Sequence, residues 1–300
     1  MKNEVPDGSA NQTRNSFRDK WENNQKLGYS DIMDESSEIT SWVLNRNGWQ
    51  NFASLSDFLN SKSQILDAGC GNGRITFLFS QLAKNNSITG VDINPEVAQS
   101  NLRSISNINI EYHNLLEPVP NRYDFIYSQE VLHHTQNPRL AFGNLASALN
   151  LGGILAIYVY KIKGPVREFT DEFIRSKLKN LPYEEAVYLM KEISNFGNSL
   201  SNLHATVDIG QVSLLDIPAG TYPIQRLFYH FFFKCFWNPN LSIEENDAIN
   251  FDWYSPQLAS KHTTLEITQW FKEENLEIVH QFEDEYGITM HGLRKVISDK

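Results

Sequence analysis

The stretch Gln64-Ile65-Leu66-Asp67-Ala68-Gly69-Cys70-Gly71-Asn72-Gly73-Arg74 constrains this chain more than any other. Ile65 and Leu66 read as the end of a short buried strand. Three glycines follow at alternate positions. Ile75, Leu78, Phe79 and Leu82 then recur with helical spacing. The order is strand, tight turn, helix. In an open α/β sheet the crevice at a strand's carboxyl end is where a ligand sits. Glycine lets the backbone turn sharply there and lets a ligand approach without meeting a Cβ.

A dinucleotide loop reads G-x-G-x-x-G, its third glycine packing helix against strand. Here the glycines are 69, 71 and 73, and Arg74 stands where that loop would place the third. Asp67 sits two residues before the first glycine. Downstream, Ser87-Ile88-Thr89-Gly90-Val91-Asp92 reads as a second strand ending in an acid, roughly 20 residues beyond the loop, where a carboxylate accepts from ribose hydroxyls. Asn94, Pro95 and Glu96 suit the N-cap, first position and first turn of a helix. The D-x-G-x-G-x-G run resembles motif I of the class I S-adenosylmethionine-dependent methyltransferases.

Further along, Ile108–Tyr112 reads as a third strand, followed by His113-Asn114-Leu115-Leu116. Tyr123–Ser128 is the fourth strand and Gln129-Glu130-Val131-Leu132-His133-His134 its exit. That exit resembles a motif of the small-molecule branch of the same superfamily. Asn137-Pro138 starts a helix that Gly152-Gly153 ends. Ile154–Tyr160 is an almost continuous apolar run, as a buried parallel strand requires. Tyr158 and Tyr160 are expected on opposite sides of it. From Lys161 to about Ser260 the pattern is helical and aromatic, with helices at Val166–Leu178, Tyr183–Ser199 and Ile224–Trp237. Thr263 and Glu266 form a capping box. A helix to Asn275 and two strands, Leu276–Phe282 and Ile288–Val296, close the chain.

The resemblance implies an α/β fold: a Rossmann-like, seven-stranded, mostly parallel sheet with an antiparallel last strand, N-terminal helices and a helical cap insertion. The expected division is a disordered tail over 1–15, N-terminal helices and the cofactor-binding half over 16–160, a substrate cap over 161–260, and the final helix and hairpin over 261–300. It implies S-adenosylmethionine as cofactor, held by Asp67, Gly69, Cys70, Gly71, Gly73, Asp92, Ile93, Asn114, Leu115, Ser128 and Gln129. The glycine loop takes the methionine end, Asp92 the ribose, and Asn114 with Leu115 the adenine. The family's usual residue at position 114 is Asp; Asn can still accept through its carbonyl. His133 or His134 is the candidate base. Tyr254 and His262 are further catalytic candidates and, with Asp252, sit where the insertion returns to the sheet. Phe17, Arg18, Trp21 and Tyr29 belong either to core packing or to a lid over the cofactor.

Composition narrows the partners. There are 26 Lys and Arg against 36 Asp and Glu, a net charge of −10. No basic stripe is present, which disfavours a nucleic-acid backbone. The two cysteines, Cys70 and Cys235, suggest neither a disulfide framework nor a cysteine-rich metal site. Glu130, His133 and His134 do not match the common helical zinc spacing, so no metal is expected. No signal peptide is visible, and Ile224–Trp237 is too short and too charged to span a membrane. Its aromatic run, Phe228 to Phe233, reads as core, a hydrophobic substrate pocket or a dimer interface. The expectation is a cytoplasmic monomer or homodimer methylating a small metabolite, a sugar-linked or secondary-metabolite intermediate, at O or N. The alternatives are a nicotinamide-dependent oxidoreductase, which Arg74 and the closing hairpin oppose, and a non-catalytic S-adenosylmethionine-binding protein.

Overall fold

A computed structural model describes residues 7–295. In chain order the elements are α1 (Asp7–Asn23), α2 (Glu38–Arg46), α3 (Phe52–Asn60), β1 (Gln64–Ala68), α4 (Arg74–Leu82), β2 (Ser87–Asp92), α5 (Glu96–Leu102), β3 (Ile108–Tyr112), β4 (Tyr123–Gln129), α6 (Pro138–Ser147), β5 (Leu149–Tyr160), α7 (Pro165–Leu178), α8 (Tyr183–Ser201), β6 (Thr206–Ile209), β7 (Gly220–Pro223), α9 (Ile224–Phe231), α10 (Ile243–Tyr254), α11 (Thr264–Glu273), β8 (Leu276–Glu283) and β9 (Gly287–Arg294). The chain divides into two units. One holds Trp21–Lys161 and the residues from Leu258 onward; the other holds the residues up to Lys20 and Ile162–Gln257.

The first unit is built on a seven-stranded sheet of order β3-β2-β1-β4-β5-β9-β8. β1 to β5 pair in parallel, and β9 runs antiparallel between β5 and β8. This is the sheet the resemblance implied. Strands alternate their side chains between faces. Leu155, Ile157 and Val159 of β5 pack with Phe142, Ile267, Trp270 and Phe271 of α6 and α11. Ala156 and the partly buried Ile154 lie with Val43, Leu44, Leu55, Leu59 and Phe79 from α2, α3 and α4. With both faces covered, the strands can be apolar on both.

Local chemistry sets the element ends. Asn51 and Ser54 form a reciprocal capping box at the start of α3, and Asn137 caps α6 with Pro138 at its first turn. β5 begins earlier than expected, at Leu149 against Tyr123, and a register shift carries it past Gly152 and Gly153 to Ile154 against Phe125. Pro95, rather than Asn94, is the residue before α5, because the Asn94 amide is already turned back to the Asp92 side chain at 2.8 Å. Thr263 accepts from the Glu266 amide at 3.1 Å, which is one half of the expected capping box; the Glu266 carboxylate lies 3.1 Å from His262 Nδ1 instead of closing the other half. The last strand ends at Arg294; Val296 lies outside the described residues.

The second unit departs from the sequence expectation in three places. Residues 7–15 are helical rather than a disordered tail, because their polar side chains are used. The Ser9 hydroxyl donates to Gln257 Oε1 and Gln12 Nε2 to the Ser255 carbonyl, each at 2.9 Å; further along α1 the Ser16 hydroxyl donates to that of Ser255 at 2.7 Å and Lys20 pairs with Asp252 at 2.6 Å. Residues 1–6 of that expected tail lie outside the described residues. The cap is not all helical: β6 and β7 form a two-stranded antiparallel sheet. α9 stops at Phe231 instead of Trp237: the Phe232 and Phe233 amides both turn back to the Phe228 carbonyl, at 2.9 and 3.1 Å, and the chain then leaves the helix. Its backbone groups go to side chains instead. The Phe236 amide donates to Asn250 Oδ1 and its carbonyl accepts from Asn250 Nδ2; the Asn238 amide donates to Asn246 Oδ1. Asn246 and Asn250, one turn apart on α10, satisfy polar backbone that would be costly to bury unpaired. No helix among the described residues is long and apolar enough to cross a membrane.

Candidate functional site

The site is assembled at the carboxyl ends of β1, β2, β3 and β4. Gly69, Gly71 and Gly73 have φ of 89°, 57° and 87°, which only glycine adopts at little cost. Gly71 is also crowded: a Cβ there would meet the Trp21 indole at 2.9 Å. The Gly69 and Cys70 amides both donate to the Val91 carbonyl, at 2.7 and 3.0 Å, tying the loop to β2.

Asp92 ends β2 half-buried. Its Oδ2 accepts from the Gly71 amide at 2.9 Å and its Oδ1 from the Asn94 amide at 2.8 Å. Burial raises its pKa, opposed by these backbone bonds. The Ile93 amide also bears on the carboxylate, and the lone-pair capacity that remains is open to a ribose hydroxyl. Asp67 is buried and accepts from the Thr76 hydroxyl at 2.6 Å. Burial pushes its carboxyl up to about 7, with the Asp92 charge adding to the rise. Cys70 turns inward, and a Cβ on Gly90 would meet its sulfur at 3.2 Å.

Asn114 Oδ1 accepts from the Leu116 amide at 3.1 Å, closing the turn after β3. Leu115 is buried in the core, and its carbonyl accepts from Asn144 at 2.9 Å. Ile93 and Gln129 are half-buried. Ser128 is fully buried and donates to the Ala68 carbonyl at 3.0 Å, so its hydroxyl serves the sheet. Sequence reasoning named these positions, and named Trp21 and Tyr29 as either core or lid, but not the asparagines that tie their segment to the loop. Asn72 Nδ2 donates to the carbonyls of Gln25 and Leu27 at 3.2 and 3.1 Å. Asn101 Nδ2 donates to those of Gln25 and Asn72, each at 2.9 Å. The Tyr29 hydroxyl donates to the Asn72 carbonyl at 2.9 Å. Trp21 and Tyr29 therefore lie on the glycine loop, while Phe17 and Arg18 belong to the other unit.

The two histidines after β4 differ. His133 is fully buried and stacks on Tyr160, centroids 3.7 Å apart. His134 is partly exposed, and its Nδ1 lies 2.6 Å from the Leu258 carbonyl. A carbonyl only accepts, so Nδ1 carries a proton and the neutral ring keeps its lone pair on Nε2. Tyr158 and Tyr160 share one face, not two: they are two residues apart on a strand of period two, with ring centroids 6.3 Å apart. Glu130, which precedes this turn, holds a left-handed φ of 60°, a strained conformation that clusters at functional sites.

The two remaining candidates, Tyr254 and His262, are placed in different units. Tyr254 is fully buried within the cap; its hydroxyl lies 3.2 Å from Asp171 Oδ1 and 3.0 Å from the Lys234 carbonyl. His262 is buried with Nε2 at 2.9 Å from the Ser260 hydroxyl and Nδ1 at 3.1 Å from Glu266, its ring against Trp270. Tyr254 thus has its hydroxyl spent within its own unit, whereas the His262 amide donates to the Tyr160 carbonyl at 2.9 Å, at the carboxyl end of β5, and its Nδ1 keeps no well-formed hydrogen bond among the described residues. Among the described residues no cluster of three or more His, Cys, Asp or Glu could hold a metal ion.

Residues 59–203 match the family model described as a methyltransferase domain. An uncharacterized protein of Synechococcus is 31% identical over 167 residues, covering 53% of this chain and 36% of that one. A tRNA U34 carboxymethyltransferase of Campylobacter fetus is 28% identical over 188 residues, covering 56% and 64%. The chain thus spans between about a third and two thirds of the length of these curated relatives. A solved structure, PKMT2 from Rickettsia typhi with AdoHcy, superposes with a TM-score of 0.51 at 13% identity, covering 80% of this chain and 50% of that one.

Proposed function

We propose, from the match of residues 59–203 to a methyltransferase domain, that the chain is a class I S-adenosylmethionine-dependent methyltransferase and transfers a methyl group from that cofactor to a small molecule at O or N. The observation that carries this reading is Asp92, bonded to the glycine loop with lone pairs left for a ribose. The loop of Gly69, Gly71 and Gly73 takes the methionine end, with Trp21 and Tyr29 above it. Asn114 and Leu115 border the adenine, beside Ile93, and Gln129 stands at the end of β4.

The cofactor supplies a methyl group already activated by its positive sulfur. The protein's part is to align acceptor and methyl and keep water out, which can supply roughly 7–11 kcal/mol. Where the acceptor loses a proton, His134 Nε2 receives it while the Leu258 carbonyl holds the other ring nitrogen in place. The acidic balance of 36 Asp and Glu against 26 Lys and Arg supports a small acceptor over a nucleic acid, although one relative is named for a tRNA.

Calorimetric titration with S-adenosylmethionine, S-adenosylhomocysteine and NADH tests the reading. Micromolar binding of the first two, and none of NADH, is expected. Binding of NADH alone overturns it. Loss of affinity on adding bulk tRNA at low salt, or methylation of that tRNA, would move the acceptor from metabolite to RNA.

A further inference from the structure

Residues 258–262, in the unit that holds the seven-stranded sheet, are tied at every second position to the histidine turn or to the end of β5. The Leu258 carbonyl accepts from His134 Nδ1 at 2.6 Å. The Ser260 amide donates to the His133 carbonyl at 2.9 Å, and the His262 amide to the Tyr160 carbonyl at 2.9 Å. Lys161 and His262 form a parallel bridge. Extended chain has a period of two, so alternate residues present the same edge. The segment is a short strap laid across the turn.

Two side chains fix the strap from behind. Ser260 Oγ lies 3.2 Å from the His133 carbonyl and 2.9 Å from His262 Nε2. His262 is buried, with its ring 5.0 Å from that of Trp270 and its Nδ1 3.1 Å from Glu266, both on α11. α11 is itself seated in the core through Ile267, Trp270 and Phe271. Contacts therefore run without a break from a core helix, through His262 and Ser260, to the turn that carries His134.

The placing of the Leu258 carbonyl decides what His134 can do. An unconstrained neutral imidazole in water prefers its proton on Nε2, and Nε2 is then a donor and no base. A carbonyl held against Nδ1 reverses that preference. A shift of about 1 Å would take this contact beyond hydrogen-bonding distance.

We infer that Ser260 and His262 are positioning residues for the transfer: through the Leu258 carbonyl they keep the His134 proton on Nδ1 and so keep Nε2 basic. The inference rests on the methyltransferase reading above, in which His134 takes the acceptor's proton. Each residue acts through His134 and not on the acceptor.

Two-bond proton–nitrogen NMR of protein carrying nitrogen-15 histidine shows which ring nitrogen bears the proton, with neither cofactor nor acceptor present. It is read at about pH 8, where an ordinary imidazole is neutral. His134→Gln identifies the His134 signal by its loss. Wild type should show the Nδ1-protonated pattern there. In Ser260→Ala, and in His262→Phe, which keeps a ring against Trp270, the ratio of Nε2- to Nδ1-protonated His134 should rise about fivefold, the scale of one hydrogen bond. Ser260→Thr, which keeps the hydroxyl, should match wild type. An Nε2-protonated His134 in wild type overturns the inference. So does an unchanged His134 signal in either variant that folds, even where its melting temperature falls, because a purely structural role leaves the tautomer untouched. Should His262→Phe not fold, Ser260→Ala decides alone. Failure of the wild-type protein to bind S-adenosylhomocysteine would instead overturn the methyltransferase reading, whatever the tautomer.

Discussion

The Gly71 amide donates to Asp92 Oδ2 over 2.9 Å, although 21 residues separate them. The turn after β1 and the end of β2 are thereby one device, and the carboxylate that shapes the loop is the one proposed to take the ribose. Asp92→Ala should remove two charge-assisted hydroxyl bonds, roughly 1.5–3 kcal/mol each. Cofactor affinity measured by calorimetry should fall about 100-fold or more. A change within threefold, with the circular dichroism spectrum intact, would exclude the ribose role.

The histidine pair should split by role. His134→Ala should lower kcat about 100-fold, the scale of general-base catalysis, and leave S-adenosylhomocysteine binding unchanged. His133→Ala should instead cost about 2 kcal/mol of stability in urea unfolding, by opening a cavity under Tyr160. Equal kcat for wild type and His134→Ala would leave positioning as the whole of the catalysis.

Two buried groups give opposite pH dependences. Burial depresses His291 to about 3, with His280 nearby adding to the effect; its Nε2 lies 2.9 Å from Asn47 Oδ1. The unfolded chain binds this proton near the ordinary pH of about 6.5. The stability His291 provides is therefore lost as pH falls from about 6.5 toward 3. Asp67, raised to about 7 by burial, holds its proton in the folded state first, so its contribution declines as pH rises from about 4 to 7. His291→Gln should flatten the acid-side loss, and Asp67→Asn the opposing slope. Urea unfolding at pH 5 and pH 7.5 reads both; unchanged slopes would refute the assignment.

Asn72 should govern the segment that overlies the loop. Asn72→Ala removes the bonds to the Gln25 and Leu27 carbonyls, about 1 kcal/mol each. Trypsin cleavage after Lys26 should accelerate several-fold, and bound S-adenosylhomocysteine should slow it again in wild type. Cleavage at wild-type rate would show that the segment is held by other contacts.

The second unit should fail through its buried charges and not through Tyr254. Asp171 is fully buried and takes Arg167 Nε at 2.7 Å and Trp253 Nε1 at 2.8 Å. Asp171→Ala strands Arg167 and should cost about 3–5 kcal/mol. Tyr254→Phe should cost about 1 kcal/mol in stability and leave kcat unchanged. A large loss of kcat with unaltered stability would return Tyr254 to the chemistry.

The sheet was legible because its information is local. A glycine triplet after β1, an acid ending β2 and apolar runs at β4 and β5 each announce themselves within a few residues. So do the capping signals of α6 and α11. α10 carried the same kind of signal, since Ser242 and Glu245 form a reciprocal capping box, but the aromatic pattern around it hid the boundary. The end of α9 had no local signal. It is set by Asn246 and Asn250, which reach the chain from another helix.

By itself, then, the sequence determined the order of strands and helices, the glycine turn and the place of Asp92, because backbone sterics and periodicity act over short separations. Only the tertiary structure decided which polar groups remain for chemistry. Tyr254 looks like a site residue until Asp171 and the Lys234 carbonyl are found against its hydroxyl. Arg46 looks like a helix-end cation until Asp284, 238 residues away, is found against it. Hydrogen-bond partnership and burial are properties of the packed chain, and they alone separate a side chain that holds the fold from one that can act.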